Sequence, residues 1–321
     1  MNIVELSVAV NIKKNRLDKF LARETEKLSR SKIQALISSG RVSVNSVPMT
    51  DAGYNLKYGD RISFCEETNV SEEPLPEPDP DVKFSILYED EDLLVIDKPA
   101  GIVVHPGAGN FSHTLVNGLI SHCGNSLSKE NGKYRPGVVH RTDKNTGGIL
   151  AIAKNDFSHR KLAEQFAIHS VTRKYICFCY GVPVPACGKI ETLIARDKRN
   201  RLRMAVFENS GKIATTLYRT LKTFSGFAAK AECELKTGRT HQIRVHMSFR
   251  GCSLIGDSLY KAKNYFVPKP ICEFINKFPR QALHAGLLEF VHPRSKKIMH
   301  FESDLPADLR ELERILDDFA S

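Results

Sequence analysis

His140-Arg141-Thr142-Asp143-Lys144-Asn145-Thr146-Gly147-Gly148 sets one carboxylate in a basic, glycine-ended turn ahead of the apolar run Ile149 to Ala153. Arg141 and Lys144 flank Asp143, and positive neighbours favour the ionised carboxylate. A carboxylate fixed on a tight turn beside cations suits nucleophilic attack or cation binding. An isolated loop Asp ordinarily does no more than initiate a turn, so the weight falls on a second block, Glu234 to Met247. There Gly238 permits a sharp turn, and Arg239, His241, Arg244 and His246 follow closely. On a strand, Arg239 and His241 would share a face with Ile243 and Val245; on a helix, Arg239 would lie near Gln242 and Ile243. An Arg at such a turn pairs bidentately with a carboxylate or a phosphate. For His241 and His246, hydrogen-bonded structural roles are favoured over metal ligation. A third element, Thr172-Arg173-Lys174-Tyr175, opens a strand through Tyr180. Tyr175 is either a core aromatic or a surface on which a flat ligand stacks.

The rest of the chain must position these residues. Its 321 residues suffice for two domains with at least one large core. The net charge of +10 points to an anionic partner, with nucleic acid first and an acidic membrane surface second. No signal peptide or transmembrane run is visible, and the scattered cysteines lack a framework spacing. Cys177 and Cys179 could share a strand face, but with no second pair nearby zinc is disfavoured and reduced cytoplasmic thiols are expected.

Charge and proline draw the domain boundary. Residues 65–82 hold seven acidic residues, no Lys or Arg, and alternating prolines at Pro74, Pro76, Pro78 and Pro80, an acidic and semi-rigid linker. It separates a basic piece, 1–64 (net +5), from a second basic piece, 83–321 (net +12). In the first, Leu17, Phe20, Leu21 and Leu28 fall at helical spacing. Ser29 caps a second helix carrying Ile33, Leu36 and Ile37, and Gly40 ends it. Strands are expected at Val42–Val44 and Arg61–Phe64. Arg16, Lys19, Arg30, Lys32 and Arg41 cluster around the two helices and are the expected RNA contacts, against the alternative of a merely solvated basic face. This segment resembles the small alpha-L RNA-binding module, through Arg16-Leu17-Asp18-Lys19-Phe20-Leu21, Ser29-Arg30-Ser31-Lys32-Ile33, Gly40 to Asn45 and Gly59-Asp60.

In the larger piece, strands are expected at Ser85–Tyr88 and Leu93–Asp97, a helix at Phe157–His169, and short strands to about residue 260. Without regular strand–helix alternation, the fold class is α+β: a largely antiparallel mixed-sheet catalytic domain with flanking helices, plus the small N-terminal α/β module. The basic segment Arg196 to Arg203 reads as a hairpin gripping phosphates through Lys198, Arg199 and Arg201. HRxD and Asp156-Phe157-Ser158 echo kinase segments superficially, but no Gly-rich lid or Val-Ala-Ile-Lys equivalent precedes them.

Taken in order, the His140–Asp143 turn, Arg173-Lys174-Tyr175, Gly238 to Arg244, Gly256-Asp257, Gln281 to Ala285 and His292-Pro293 resemble the RluA-type pseudouridine synthases. With the N-terminal module and the Val103 to Asn110 loop, the likeness is to the RluD branch, which modifies large-subunit (23S) ribosomal RNA. The resemblance implies an isomerase that needs no cofactor or metal, with rRNA or a pre-ribosomal particle as partner, acting as a cytoplasmic monomer. It assigns Asp143 as nucleophile, Tyr175 as the stacking residue and proton acceptor, and Arg239 as the partner that keeps Asp143 ionised. Arg141 becomes a candidate to fill the space left by a flipped uridine, and apolar side chains near Ile243 and Val245 are candidates to line the base pocket. The alternatives are a non-catalytic ribosome-assembly factor and a synthase acting on tRNA. Two positions depart from the family pattern: Thr142 stands where Leu is usual and puts a hydroxyl in need of a partner at a buried site. Gly147 replaces Ser or Thr and is expected to loosen the turn.

Overall fold

The computed structural model describes residues 2–9, 15–25, 30–66, 75–107, 109–261 and 265–320. The chain forms two compact units, Met1–Pro74 and Leu75–Ser321.

In the first unit, strands β1 (Asn2–Ser7), β2 (Val42–Val44), β3 (Val47–Met49) and β4 (Arg61–Glu66) form an antiparallel sheet in the order β1-β4-β2-β3. Helices α1 (Leu17–Glu24) and α2 (Arg30–Ser38) share its core: Leu17, Phe20, Leu21, Ile33, Leu36 and Ile37 are buried with Val42, Val44, Ile62 and Phe64. These are the apolar positions that helical and strand periodicity picks out. The β2–β3 turn is Asn45-Ser46, both with positive φ, the conformation a two-residue hairpin requires. Asn45 tolerates it because its side chain donates to Asp60 Oδ1 and accepts from the Arg61 amide. Strand β1 was not expected; it pairs with β4 along its whole length. The expected cap at Ser29 lies outside the described residues.

The second unit is built on β5 (Ser85–Glu89), β6 (Leu93–Lys98), β7 (Gly147–Ala153), β8 (Thr172–Tyr180), β9 (Cys187–Arg196), β10 (Met204–Phe207), β11 (Lys212–Phe224), β12 (Ala228–Leu235), β13 (Leu283–Val291) and β14 (Ile298–Glu302). These make one ten-stranded sheet, β10-β9-β11-β12-β8-β13-β7-β6-β5, with β14 beside β13. Every pairing is antiparallel except β13 with β7. Helices α3 (Leu115–Cys123), α4 (Asp156–Ala167), α5 (Gln242–Phe249), α6 (Lys269–Lys277) and α7 (Ala307–Ala320) flank it. The α+β class with a largely antiparallel sheet is as expected.

Residues 75–82, read as the end of a linker, are docked on this second unit. Asn117 of α3 donates from its side chain to the Glu77 carbonyl, and its own carbonyl accepts from the Asp79 amide. Val82 lies so close to Gly118 that a Cβ there would stand 2.8 Å from the Val82 carbonyl oxygen. Cys177 and Cys179 do share a buried face, where Cys177 Sγ lies 3.9 Å from Cys233 Sγ.

Candidate active site

Asp143 lies on the turn that feeds β7, and its backbone is held on several sides. Its carbonyl accepts from the Thr146 amide (3.0 Å). The Lys144 carbonyl accepts from the Gly101 amide (2.9 Å) and from Lys98 Nζ (3.3 Å). Arg280 Nη1 donates to the Asn145 carbonyl (3.1 Å), and Gln281 Nε2 to Thr146 Oγ1 (3.1 Å). Arg280 is itself fixed by Asp308 at the start of α7 (2.6 and 2.8 Å). Lys98 is fully buried, with Nζ also on the carbonyls of Pro99 and Ile102. Burial pushes its ammonium down to about 7, and the nearby Asp143 carboxylate resists the shift.

Glycine at two successive positions has two reasons. Gly148 has φ +111°, and a Cβ there would collide with the Ala285 carbonyl on β13. Gly147 is buried, and a Cβ would stand 3.1 Å from the Lys98 carbonyl oxygen and 3.3 Å from the Ala100 amide. Gly147, expected to loosen the turn, lies where β7 packs against residues 98–100 with little room for a side chain. Thr142 is 6% exposed, and its hydroxyl has no hydrogen-bond partner among the described residues.

The carboxylate of Asp143 is 18% exposed and is met by Arg244, whose Nη1 donates to Oδ2 at 3.0 Å. The expected partner, Arg239, points elsewhere: its Nε donates to the Ile213 carbonyl (2.9 Å). The reason is local geometry. His241 takes a left-handed conformation (φ 56°) and α5 begins at Gln242, so the block is a turn followed by a helix and not a strand. Gln242 is buried with both ends of its amide satisfied. Its oxygen accepts from the Arg239 amide and the Thr237 hydroxyl, and its nitrogen donates to the Thr215 carbonyl and Thr216 hydroxyl. That lock places Arg239 beside β11 and sends Arg244, inside the first turns of α5, towards Asp143.

Arg244 is held from behind by Asp257, with Nε and Nη2 on its two carboxylate oxygens (2.7 and 2.9 Å). Its guanidinium also stands over the Tyr260 ring. Burial alone would lower its pKa; the ion pairs with Asp257 and Asp143 outweigh burial and raise it. The Asp257 carboxyl resists the same desolvation and is held below its ordinary range by Arg244. His241 Nε2 lies 3.9 Å from Asp143 Oδ1, and its Nδ1 bonds the Tyr260 hydroxyl. Burial lowers the His241 pKa against the pull of Asp143.

Two hollows meet at Asp143. A narrow recess is lined by Thr142, Asp143, Tyr175, Leu235, Ile243, Arg244 and Leu283. A wider cleft of about 530 Å³ opens beside it, lined by His105, Arg135, Arg141, Asp143, Arg173, Tyr175 and Arg239 among others. Tyr175 and Arg239 thus line the same cleft as Asp143. Ile243 borders the recess, whereas Val245 packs away from it with Ile194, Ala214 and Tyr260. Arg141 sits at the cleft wall with Nη1 3.0 Å from His105 Nε2, which ties the Asp143 turn to the loop after β6. Sequence reasoning assigned no role to Lys98, Arg173, Asp257 or Arg280. Asp257 had a visible signal in Gly256-Asp257; Lys98, Arg173 and Arg280 owe their burial to packing that no local pattern marks.

The remaining candidate RNA contacts whose side chains are described reach the surface. Lys198, Arg199 and Arg201 are exposed at the β9–β10 hairpin tip, which is closed by hydrogen bonds between Asp197 and Arg203 and between Arg203 and Asn200. Lys19 and Arg41 are exposed in the first unit. Arg16 is committed to a bidentate pair with buried Asp18 at the start of α1. The side chains of Arg30 and Lys32 lie outside the described set. Among the described residues, Glu89, His122 and Cys123 bring a carboxylate, an imidazole and a thiol together. Glu89 there is already paired with Lys154 and His122, and none of the three lines the Asp143 cleft. No helix of the described residues is long and apolar enough to cross a membrane.

Comparison with known proteins gives the family. The RNA pseudouridylate synthase family matches residues 92–249 and the S4 domain residues 15–62. An uncharacterised RNA pseudouridine synthase of Bacillus subtilis (strain 168), YlyB, is 41% identical over 97% of both chains. The ribosomal large subunit pseudouridine synthase D of Zymomonas mobilis is 43% identical over 94% of this chain and 93% of its own. The human RNA pseudouridylate synthase domain containing 4 shares the fold, with a TM-score of 0.57 at 24% identity, covering 73% of this chain and 93% of its own. A carboxylate turn, a cation-lined cleft and a separate basic module thus converge with sequence kinship over nearly the whole chain: it belongs to the RluA-type RNA pseudouridine synthases, isomerases, here with an N-terminal S4 domain.

Proposed function

We propose that the protein converts specific uridines of large-subunit (23S) ribosomal RNA to pseudouridine in the cytoplasm, with Asp143 as the nucleophile. The observation that carries the reading is the Asp143–Arg244–Asp257 chain at the meeting of a narrow recess and a cleft lined by Arg135, Arg141, Arg173 and Arg239. The rRNA assignment is supported by relatives named as ribosomal large subunit pseudouridine synthases, which match most of the chain.

The isomerisation breaks the bond between uracil N1 and ribose C1′, turns the base, and joins C5 to the same C1′. A proton then leaves C5 and one is gained at N1, so atoms balance with nothing oxidised. Asp143 attacks or stabilises C1′ as the base departs. Arg244, backed by Asp257, orients the carboxylate without closing off its open side. Tyr175, which borders both hollows, stacks on the uracil and takes the C5 proton. Reaching the site requires the uridine to leave its stack, at a cost of a few kcal/mol. Arg141 at the cleft wall holds the space or the backbone left behind. Lys19, Arg30, Lys32 and Arg41 of the S4 domain, with Arg16 also near α1, and Lys198, Arg199 and Arg201 of the hairpin, contact phosphates.

The test is mass-spectrometric or chemical mapping of pseudouridine in large-subunit rRNA transcripts treated with purified protein. Wild type converts discrete sites, and Asp143→Ala converts none while binding RNA with unchanged affinity. Conversion by Asp143→Ala would reject the nucleophile; conversion confined to tRNA would reject the substrate.

A further inference from the structure

Three arginines are buried in the described residues, and two of them have carboxylate partners: Arg244 with Asp143 and Asp257, and Arg280 with Asp308. Arg173 has none. It is 7% exposed, its Nε has no acceptor, and its one hydrogen bond is a long one from Nη2 to the Leu235 carbonyl (3.4 Å). The guanidinium lies over the Phe166 ring, 5.3 Å from its centroid, and lines the wide cleft. Its titratable neighbours supply no negative charge to spare. His140 is pushed down to about 3 by burial and by Arg173 itself, while Arg135, Arg141, His105 and His169 line the same cleft. Asp143, the acid in that lining, is already paired with Arg244. A buried cation without a counter-ion is costly, and buried charges are ordinarily paired.

The surroundings are shaped for this side chain. A Cβ at Gly238 would stand 2.9 Å from Arg173 Nη1, so the missing side chain at the turn before α5 makes room for the guanidinium. Arg173 and Tyr175 alternate on one face of β8 and both border the cleft. Two residues along a strand is about 7 Å, within the span of a single nucleotide.

We propose that Arg173 holds a phosphodiester of the RNA, the one adjoining the everted uridine, and that this anion is the missing partner of its guanidinium. The inference rests on reading the Asp143 cleft as the uridine site and adds the group that fixes the nucleotide's backbone there. Arginine's planar fork matches two phosphate oxygens.

The test is displacement of a fluorescent penta-uridylate from the full chain, at fixed ionic strength and neutral pH, by uridine, uridine 3′-monophosphate, uridine 5′-monophosphate and inorganic phosphate. At least one monophosphate should displace the probe at a concentration about tenfold or more below that of uridine, as a charge-assisted hydrogen bond allows. Arg173→Met should bring that ratio to about one and melt no lower than wild type, because it removes an unpaired buried charge. Gly238→Ala keeps the charge but displaces the guanidinium, so it should reduce the ratio too, and it decides the matter if Arg173→Met does not fold. A ratio that survives both substitutions overturns the proposal. Inorganic phosphate displacing as well as the monophosphates would show a site for the free anion and overturn it as well. The ratio should persist in Asp143→Ala, so loss of the nucleophile assignment would leave the phosphate result standing.

Discussion

A carboxylate proposed to attack a sugar must be aimed and still reachable, and Arg244 is the side chain that holds Asp143 in place. One arm of its guanidinium touches Asp143, while the edge facing away is occupied by Asp257. Replacing Arg244 by Met would strand a buried Asp257 and release Asp143. Loss of about 3–5 kcal/mol of stability is expected, with conversion falling to background. Arg239→Met breaks a bond to a single backbone carbonyl, so stability should change by no more than about 1 kcal/mol, and activity should fall far less than for Arg244→Met. Denaturant melts and single-turnover rates on both variants check this ordering; a larger loss of rate at Arg239 would return the orienting role to that residue. Thr142 offers the opposite case. Its buried hydroxyl has no partner among the described residues. Thr142→Val keeps the shape and removes the orphan, and should raise stability by about 1 kcal/mol in urea unfolding. A destabilised variant would mean that the hydroxyl is satisfied in solution.

At the scale of elements, α5 is the piece that turns a sequence motif into a site, and His246 seats it. The imidazole is fully buried and bonds Thr192 of β9 and Thr216 of β11. Burial lowers its pKa from 6.5 to about 4. A depressed histidine favours the neutral form in the fold, so its contribution is complete above pH 6.5 and drains away as pH falls towards 4. The shift corresponds to about 3 kcal/mol. Unfolding free energies measured at several values across that window should fall for wild type by more than for His246→Gln; parallel curves would show that His246 does not carry this dependence. Asp308 on α7 reaches the Asp143 turn through Arg280, so this helix braces the turn without lining the cleft itself.

For the molecule as a whole, net charge has a direct consequence. Two basic regions with an acidic stretch between them, on a chain of net +10, favour docking of a polyanion by each unit. Arg16 is a poor residue with which to probe this, because it compensates buried Asp18. Lys19, Arg30 and Lys32 changed together to Gln should weaken rRNA binding and flatten its salt dependence, by roughly one unit of slope for each phosphate no longer neutralised. Filter binding across a salt series reads both quantities, and an unchanged slope would remove these residues from the interface.

The core of the first unit and the glycine-ended Asp143 turn were legible in the amino-acid order, because periodic apolar residues and glycine-marked turns are local signals. Leu17, Phe20, Leu21, Ile33 and Ile37 bury where their spacing says they must, and Asp143, Tyr175 and Arg239 border one cleft. What the order of residues left open was which cation reaches Asp143. That choice depends on His241 adopting a left-handed conformation and Gln242 locking the turn onto β11, which moves the pairing from Arg239 to Arg244. The burial of Lys98 and Arg173 and the docking of residues 75–82 on α3 were equally out of reach, since each rests on interactions made across long stretches of chain. Composition and spacing decide which groups are available; only packing decides which of them meet.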